Sequence, residues 1–153
     1  MESSPDLKFL RILENIRYHF DFLFRRGFHI VSVLFVDQNY ENWQVSMMTD
    51  DYLIKIYSCM GKVNLALSTL QLYNDVGLFE LNDLIYFING NENFSDPPEE
   101  APINETQSFQ RIARLLEKYV DDILETIEKI LILPSTDYPS ITSNNPDQLS
   151  KDN

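Results

Sequence analysis

The chain has 153 residues, 44% of them hydrophobic and 24% charged, the balance of a globular protein with one hydrophobic core. Twelve Lys and Arg stand against 24 Asp and Glu, a formal net charge of −12, which argues against binding to nucleic-acid phosphates or to an anionic membrane surface. A lone cysteine, Cys59, excludes an internal disulfide and a cysteine-built zinc site.

The opening residues MESSPDLKFLRILEN are acidic and polar, without the basic and unbroken apolar stretches of a signal peptide. No apolar run approaches the roughly 20 residues of a transmembrane helix. A cytoplasmic protein is expected. Ser4-Pro5-Asp6 reads as an N-cap, a proline in the first helical position and an acid in the first turn. Phe9, Leu13, Ile16, Phe20 and Leu23 then recur every three or four residues, broadened by Leu10 and Phe24, until Arg25-Arg26-Gly27 closes the helix.

Four strand-like runs follow. Residues 28–37 (FHIVSVLFVD) are apolar at nearly every position, which predicts a strand that is central or covered on both faces. Trp43, Val45 and Met47 alternate with polar residues; Tyr52, Ile54 and Ile56 do so in the next run, and Val63, Leu65 and Leu67 in the fourth. Loops this short force antiparallel neighbours, because a parallel crossover needs a dozen residues or more. Residues 78–90 read as a short helix with Leu81, Leu84, Ile85 and Ile88 inward and Gly90 at its end. Residues 91–105 carry three prolines and five acids and read as an irregular linker. From Ser108 to Leu133 runs the strongest helical pattern, with Phe109, Ile112, Leu116, Tyr119, Ile123, Ile127 and Ile130 inward and Pro134 as its stop. Residues 134–153 read as a disordered tail. The fold class expected is α+β: a four-stranded antiparallel meander with an N-terminal, a short and a long C-terminal helix packed on it, one domain over residues 1–133.

The residues offer little specific chemistry. The four glycines, at 27, 61, 77 and 90, are scattered singly, whereas phosphate loops need them clustered. His19 and His29 have no metal-ligand or catalytic spacing, and Cys59 at a strand end reads as a small buried hydrophobe despite Lys62 nearby. The sequons at Asn93 and Asn104 read as chance matches without a secretory signal. No enzyme activity, cofactor or metal is expected. What stands out is a row of acids, Glu117, Asp121, Glu125 and Glu128, at spacings of four, four and three on the long helix. Such a row reads either as a solvated face or as a docking stripe for a basic protein partner, with Glu99 and Glu100 of the linker adding to it. Charge is uneven along the chain: residues 1–90 carry seven bases and eleven acids, residues 91–153 five and thirteen. The apolar stripe, widened by Leu115, Val120, Leu124 and Leu131, is long for a short sheet, and a homodimer through isologous helix contacts is expected.

The order of a helix, Arg26-Gly27-Phe28, four short strands and a Phe79-Glu80-Leu81-Asn82-Asp83-Leu84 helix resembles small acidic bacterial proteins of unassigned function. Trp43-Gln44-Val45 and Tyr52-Leu53-Ile54-Lys55-Ile56 lie within the same stretch, about Leu7 to Gly90. Some of those proteins sit beside toxin genes and are treated as immunity proteins. The resemblance implies this fold and, at most, capture of a toxin; it carries over no catalytic residue, and the long helix lies outside it. The leading expectation is an immunity- or antitoxin-like binding module. An acidic dimeric chaperone-like protein for a secreted or basic client, and an enzyme with a carboxylate site, are the alternatives.

Overall fold

Alternation within the four central segments dictates a two-faced sheet, and the computed structural model, which describes residues 5–36, 42–90 and 104–130, contains one. Glu99, Glu100, Leu131, the expected helix end at Leu133 and the expected tail from Pro134 lie outside the described residues. Strands β1 (His29–Phe35), β2 (Trp43–Met48), β3 (Tyr52–Cys59) and β4 (Lys62–Thr69) pair antiparallel in chain order, and a two-residue β5 (Phe79–Glu80) adds to β4. The helices are α1 (Pro5–His19), α2 (Asp21–Arg25), α3 (Leu70–Val76), α4 (Leu81–Ile88) and α5 (Glu105–Ile130). The architecture is α+β.

Register turns the alternation into rows across the core face. Val33, Val45, Ile56 and Leu65 form one row; Ile30, Met47, Ile54, Leu67 and Phe79 form the next. Trp43, Val45, Met47, Ile54, Ile56, Val63, Leu65 and Leu67 are all buried, as their spacing requires, while Tyr52 is only half-buried. Phe109 of α5 sits against this face: its ring stacks on Trp43 at 5.3 Å and meets Phe20 edge-on at 6.4 Å. Aromatic pairs of this kind contribute about 0.5–1.5 kcal/mol each beyond the area they bury.

β1 overturns one expectation. It is an edge strand, not a central one; its outward side chains Val31 and Leu34 are 47% and 52% exposed, and Val36, just past its end, is 66% exposed. Apolar residues on both faces read as double burial, but only one face of β1 has a helix layer to meet. The first helix also departs from expectation. It breaks at Phe20, whose ψ of 26° leaves the helical range, so α2 turns away as a separate element. Burial follows Ile12, Ile16, Phe20 and Leu23, leaving Phe9 and Leu10 exposed.

Two local elements differ from the sequence reading for capping reasons. Thr69 accepts a hydrogen bond from the Leu72 amide at 3.0 Å and starts α3, a helix not expected from the pattern. Gly77, at φ 89°, closes it, and the chain then pairs Phe79–Glu80 with β4 before α4 begins at Leu81. Leu81, Leu84 and Ile85 are buried and Ile88 half-buried.

α5 starts three residues earlier than its apolar stripe. Asn104 caps it, its side-chain oxygen accepting from the Gln107 amide at 2.8 Å, so the second sequon is a helix start. Buried positions run from Ser108 to Ile130, with Val120 facing the core and Tyr119 half-buried. Its 26 residues extend about 39 Å at 1.5 Å per residue. Of the residues expected to widen the stripe, Val120 is buried within the chain's own core and Leu115 and Leu124, partly buried, pack against it. Glu105, in the first turn, fastens three elements: it pairs with Lys8 of α1 at 3.2 Å and accepts from the Trp43 indole N–H of β2 at 3.2 Å. Ser108 follows one residue beyond that turn. Its buried hydroxyl accepts from the Val63 amide at 2.6 Å and donates to the Val63 carbonyl at 3.4 Å, where β5 is too short to reach.

Candidate functional site

Helical spacing alone places the acids of α5 together. Core contacts fix Phe109, Leu116, Val120, Ile123 and Ile127 inward, which turns Glu117, Asp121, Glu125 and Glu128 to the solvent along one flank. The structure thus brings together the four helix acids singled out in the sequence. Glu99 and Glu100 cannot join the description, lying outside the described residues.

The flank is less bare than its sequence. Asp121 pairs with Arg26, just past α2, at 2.8 Å, and Glu125 pairs with Lys129 at 3.1 Å along the helix. Glu128 accepts from the Tyr52 hydroxyl at 2.6 Å. Burial, then that hydrogen bond and the nearby carboxylate charge, push Tyr52 up to about 12, so the hydroxyl stays a donor. Exposed ion pairs such as these contribute little, about 0–1 kcal/mol each. A partner's guanidinium or ammonium can therefore exchange into them at small cost. Sequence reasoning missed Arg26 and Tyr52 because both come from elements over seventy residues away.

Beside the flank, α4 and α5 leave an open groove of about 450 Å³. Phe87, Ile88 and Ile130 give it an apolar wall, Asp122 and Glu125 line it with negative charge, and Lys129, paired with Glu125, lines it with positive charge. Sequence spacing had not pointed to Asp122, which lies one residue off the acidic row. A second shallow groove, about 690 Å³, opens between α1 and the start of α5, lined by Glu14, Arg17, His19 and Gln110 among others. Its imidazole stacks on Phe109 at 6.1 Å, and burial, aided by Arg114, lowers the His19 pKa from its ordinary value.

A third cluster lies on the opposite face of the sheet from α5. The Tyr57 hydroxyl donates to the Glu80 carboxylate. Burial raises the Tyr57 pKa, and Glu80 reinforces the shift. Burial also raises Glu80, with Asp83 adding to the rise and the Tyr57 bond opposing it.

Cys59 corrects an expectation. It is exposed, not buried, because Met60 and Gly61, both at positive φ, make a two-residue turn immediately after it and lift the strand end into solvent. Among the described residues no cluster of three or more His, Cys, Asp or Glu is arranged to hold a metal ion, and no helix is long and apolar enough to cross a membrane. No protein-family model, curated protein or solved structure matches this chain.

Proposed function

We propose that this chain is a non-catalytic binding protein that captures a basic protein partner on the acidic flank of α5. The observation that carries the reading is the adjacency of that flank to the α4–α5 groove. Phe87 and Ile88 suit the methylene stem of a lysine or arginine, and Asp122 and Glu125 stand where its charged end emerges. The row Glu117, Asp121, Glu125 and Glu128 extends the negative field along about 17 Å of helix. Such a field speeds encounter with a basic surface more than it deepens the final affinity. A toxin-neutralising role, as the resemblance to small acidic bacterial proteins implies, is one form of this function.

The experiment is an association-rate series against a partner captured from the source cell. Wild type is compared with a variant in which Glu117, Glu125 and Glu128 become Gln and Asp121 becomes Asn. Association slows several-fold in the variant, and the wild-type rate falls as salt rises towards 0.15 M, where the Debye length is about 8 Å. Equal rates with equal salt slopes would return the flank to an ordinary solvated face.

A further inference from the structure

Three near-parallel rings step from the core to the surface at the corner of α1 and α5. Trp43 stacks on Phe109 at 5.3 Å with 16° between their planes, and Phe109 stacks on His19 at 6.1 Å with 11°. Trp43 and Phe109 are fully buried and His19 is half-buried, so the last ring is held by the core and still reaches solvent. Tyr18, 81% exposed, stands perpendicular beside it at 4.9 Å. The groove of about 690 Å³ between α1 and the start of α5 opens at this corner of rings. An aromatic platform of this kind accepts flat heterocycles, because every base has a π-face.

The rest of the groove offers polar groups that the fold leaves unused. Glu14, Thr106 and Gln110 line it, and their side chains make no hydrogen bond or ion pair among the described residues. Arg114, exposed one turn beyond Gln110, has no carboxylate partner among them either, in a chain with 24 acids to 12 bases. Its charge acts on His19. An occupant that answers every one of these groups has a planar ring for His19, hydrogen-bonding ring edges for Thr106 and Gln110, hydroxyls for the Glu14 carboxylate and an anion for the Arg114 guanidinium. We propose that the α1–α5 groove binds a purine nucleoside monophosphate, its base stacked on His19 beside Tyr18 and its phosphate on Arg114. The volume suits a ligand of this size. A net charge of −12 works against the more highly charged di- and triphosphates. The acidic flank of α5 takes no part, so this site stands or falls independently of the basic-partner reading.

NMR titration of the full chain with AMP and GMP tests it, read at the His19 imidazole in a His29→Gln background and at the side-chain amide of Gln110. In so open a groove, dissociation constants of about 0.1–1 mM are expected. Adenosine, which lacks the anion, binds several-fold more weakly, and inorganic phosphate, which lacks the ring, more weakly still. Bound AMP raises the His19 pKa, which burial and Arg114 otherwise hold down, whereas adenosine does not raise it. Arg114→Gln weakens AMP several-fold and leaves adenosine unchanged; Glu14→Gln weakens both. Lys129→Gln, the same loss of charge about 22 Å further along α5, changes neither. All three replaced side chains are exposed, and circular dichroism confirms that the variants fold. No shift at His19 or Gln110 with either nucleotide up to about 10 mM, phosphate alone binding as tightly as AMP, or an Arg114→Gln variant that holds AMP as tightly as wild type overturns the proposal.

Discussion

Removing the Ser108 hydroxyl isolates what one side chain does for a sheet edge. In Ser108→Ala the Val63 amide, on a fully buried residue, loses its 2.6 Å acceptor. A buried donor left unmade costs about 1–3 kcal/mol. The bond to the Val63 carbonyl, at 3.4 Å, adds little. Alanine returns about 0.5 kcal/mol through its better helix propensity. The net loss is therefore about 0.5–2.5 kcal/mol, or roughly 1–10 °C in melting temperature for a chain of this size. Equilibrium urea unfolding followed by the fluorescence of Trp43, the one tryptophan, measures it with an unchanged slope against urea. Ser58→Ala is the control. Its hydroxyl is equally buried in the row beside Trp43 but has no hydrogen-bond partner among the described residues, so its removal is neutral or stabilising. A loss below about 0.5 kcal/mol in Ser108→Ala, or an equal loss in Ser58→Ala, refutes the reasoning.

Met60 sits at φ 54°, where a side chain other than glycine or asparagine costs about 1–2 kcal/mol, and its side chain is almost wholly exposed. Met60→Asn should thus stabilise by about 0.5–1 kcal/mol in urea unfolding, and no gain would show that the turn holds no strain. Burial holds the Glu80 carboxyl above its ordinary value of 4.5, so the folded state keeps a proton that the unfolded state gives up first. That contribution is complete below the unfolded value and is lost as pH rises through the folded one. Glu80→Gln retains an acceptor for Tyr57 without ionising, and its stability relative to wild type should therefore rise as pH climbs above the ordinary carboxyl value of 4.5; a constant difference would contradict this.

The helices and strands with a buried and a solvated face were legible in the sequence because period and burial coincide there. Trp43, Val45, Met47 and the α4 and α5 stripes follow directly. β1 was misread because periodicity reports the chemistry of a strand's two faces, and says nothing of its position in the sheet. The break at Phe20 has no proline or glycine to announce it; it arises where Phe20 and Leu23 both reach the core. α3 did carry a signal, Thr69 as cap and Gly77 as stop, but its seven residues are too few for periodicity to show. The acids of α5 were visible as a row. Their tethers, Arg26 and Tyr52, depend on a tertiary arrangement that spacing along one helix cannot encode.

Glu105 has a temporal consequence. Lys8 and Trp43, 97 and 62 residues earlier in the chain, both await the same carboxylate. Contacts of such long separation form late, since the entropy of closing the loop must be met first. During synthesis at about 5–20 residues per second, some 40 residues separate the end of α4 from the end of α5, a delay of roughly 2–8 s. Through that interval the rows around Val45 and Ile56 have their strand partners but lack the helix that covers them. A nascent sheet in that condition exposes its apolar face until Phe109 and Glu105 arrive to cover it.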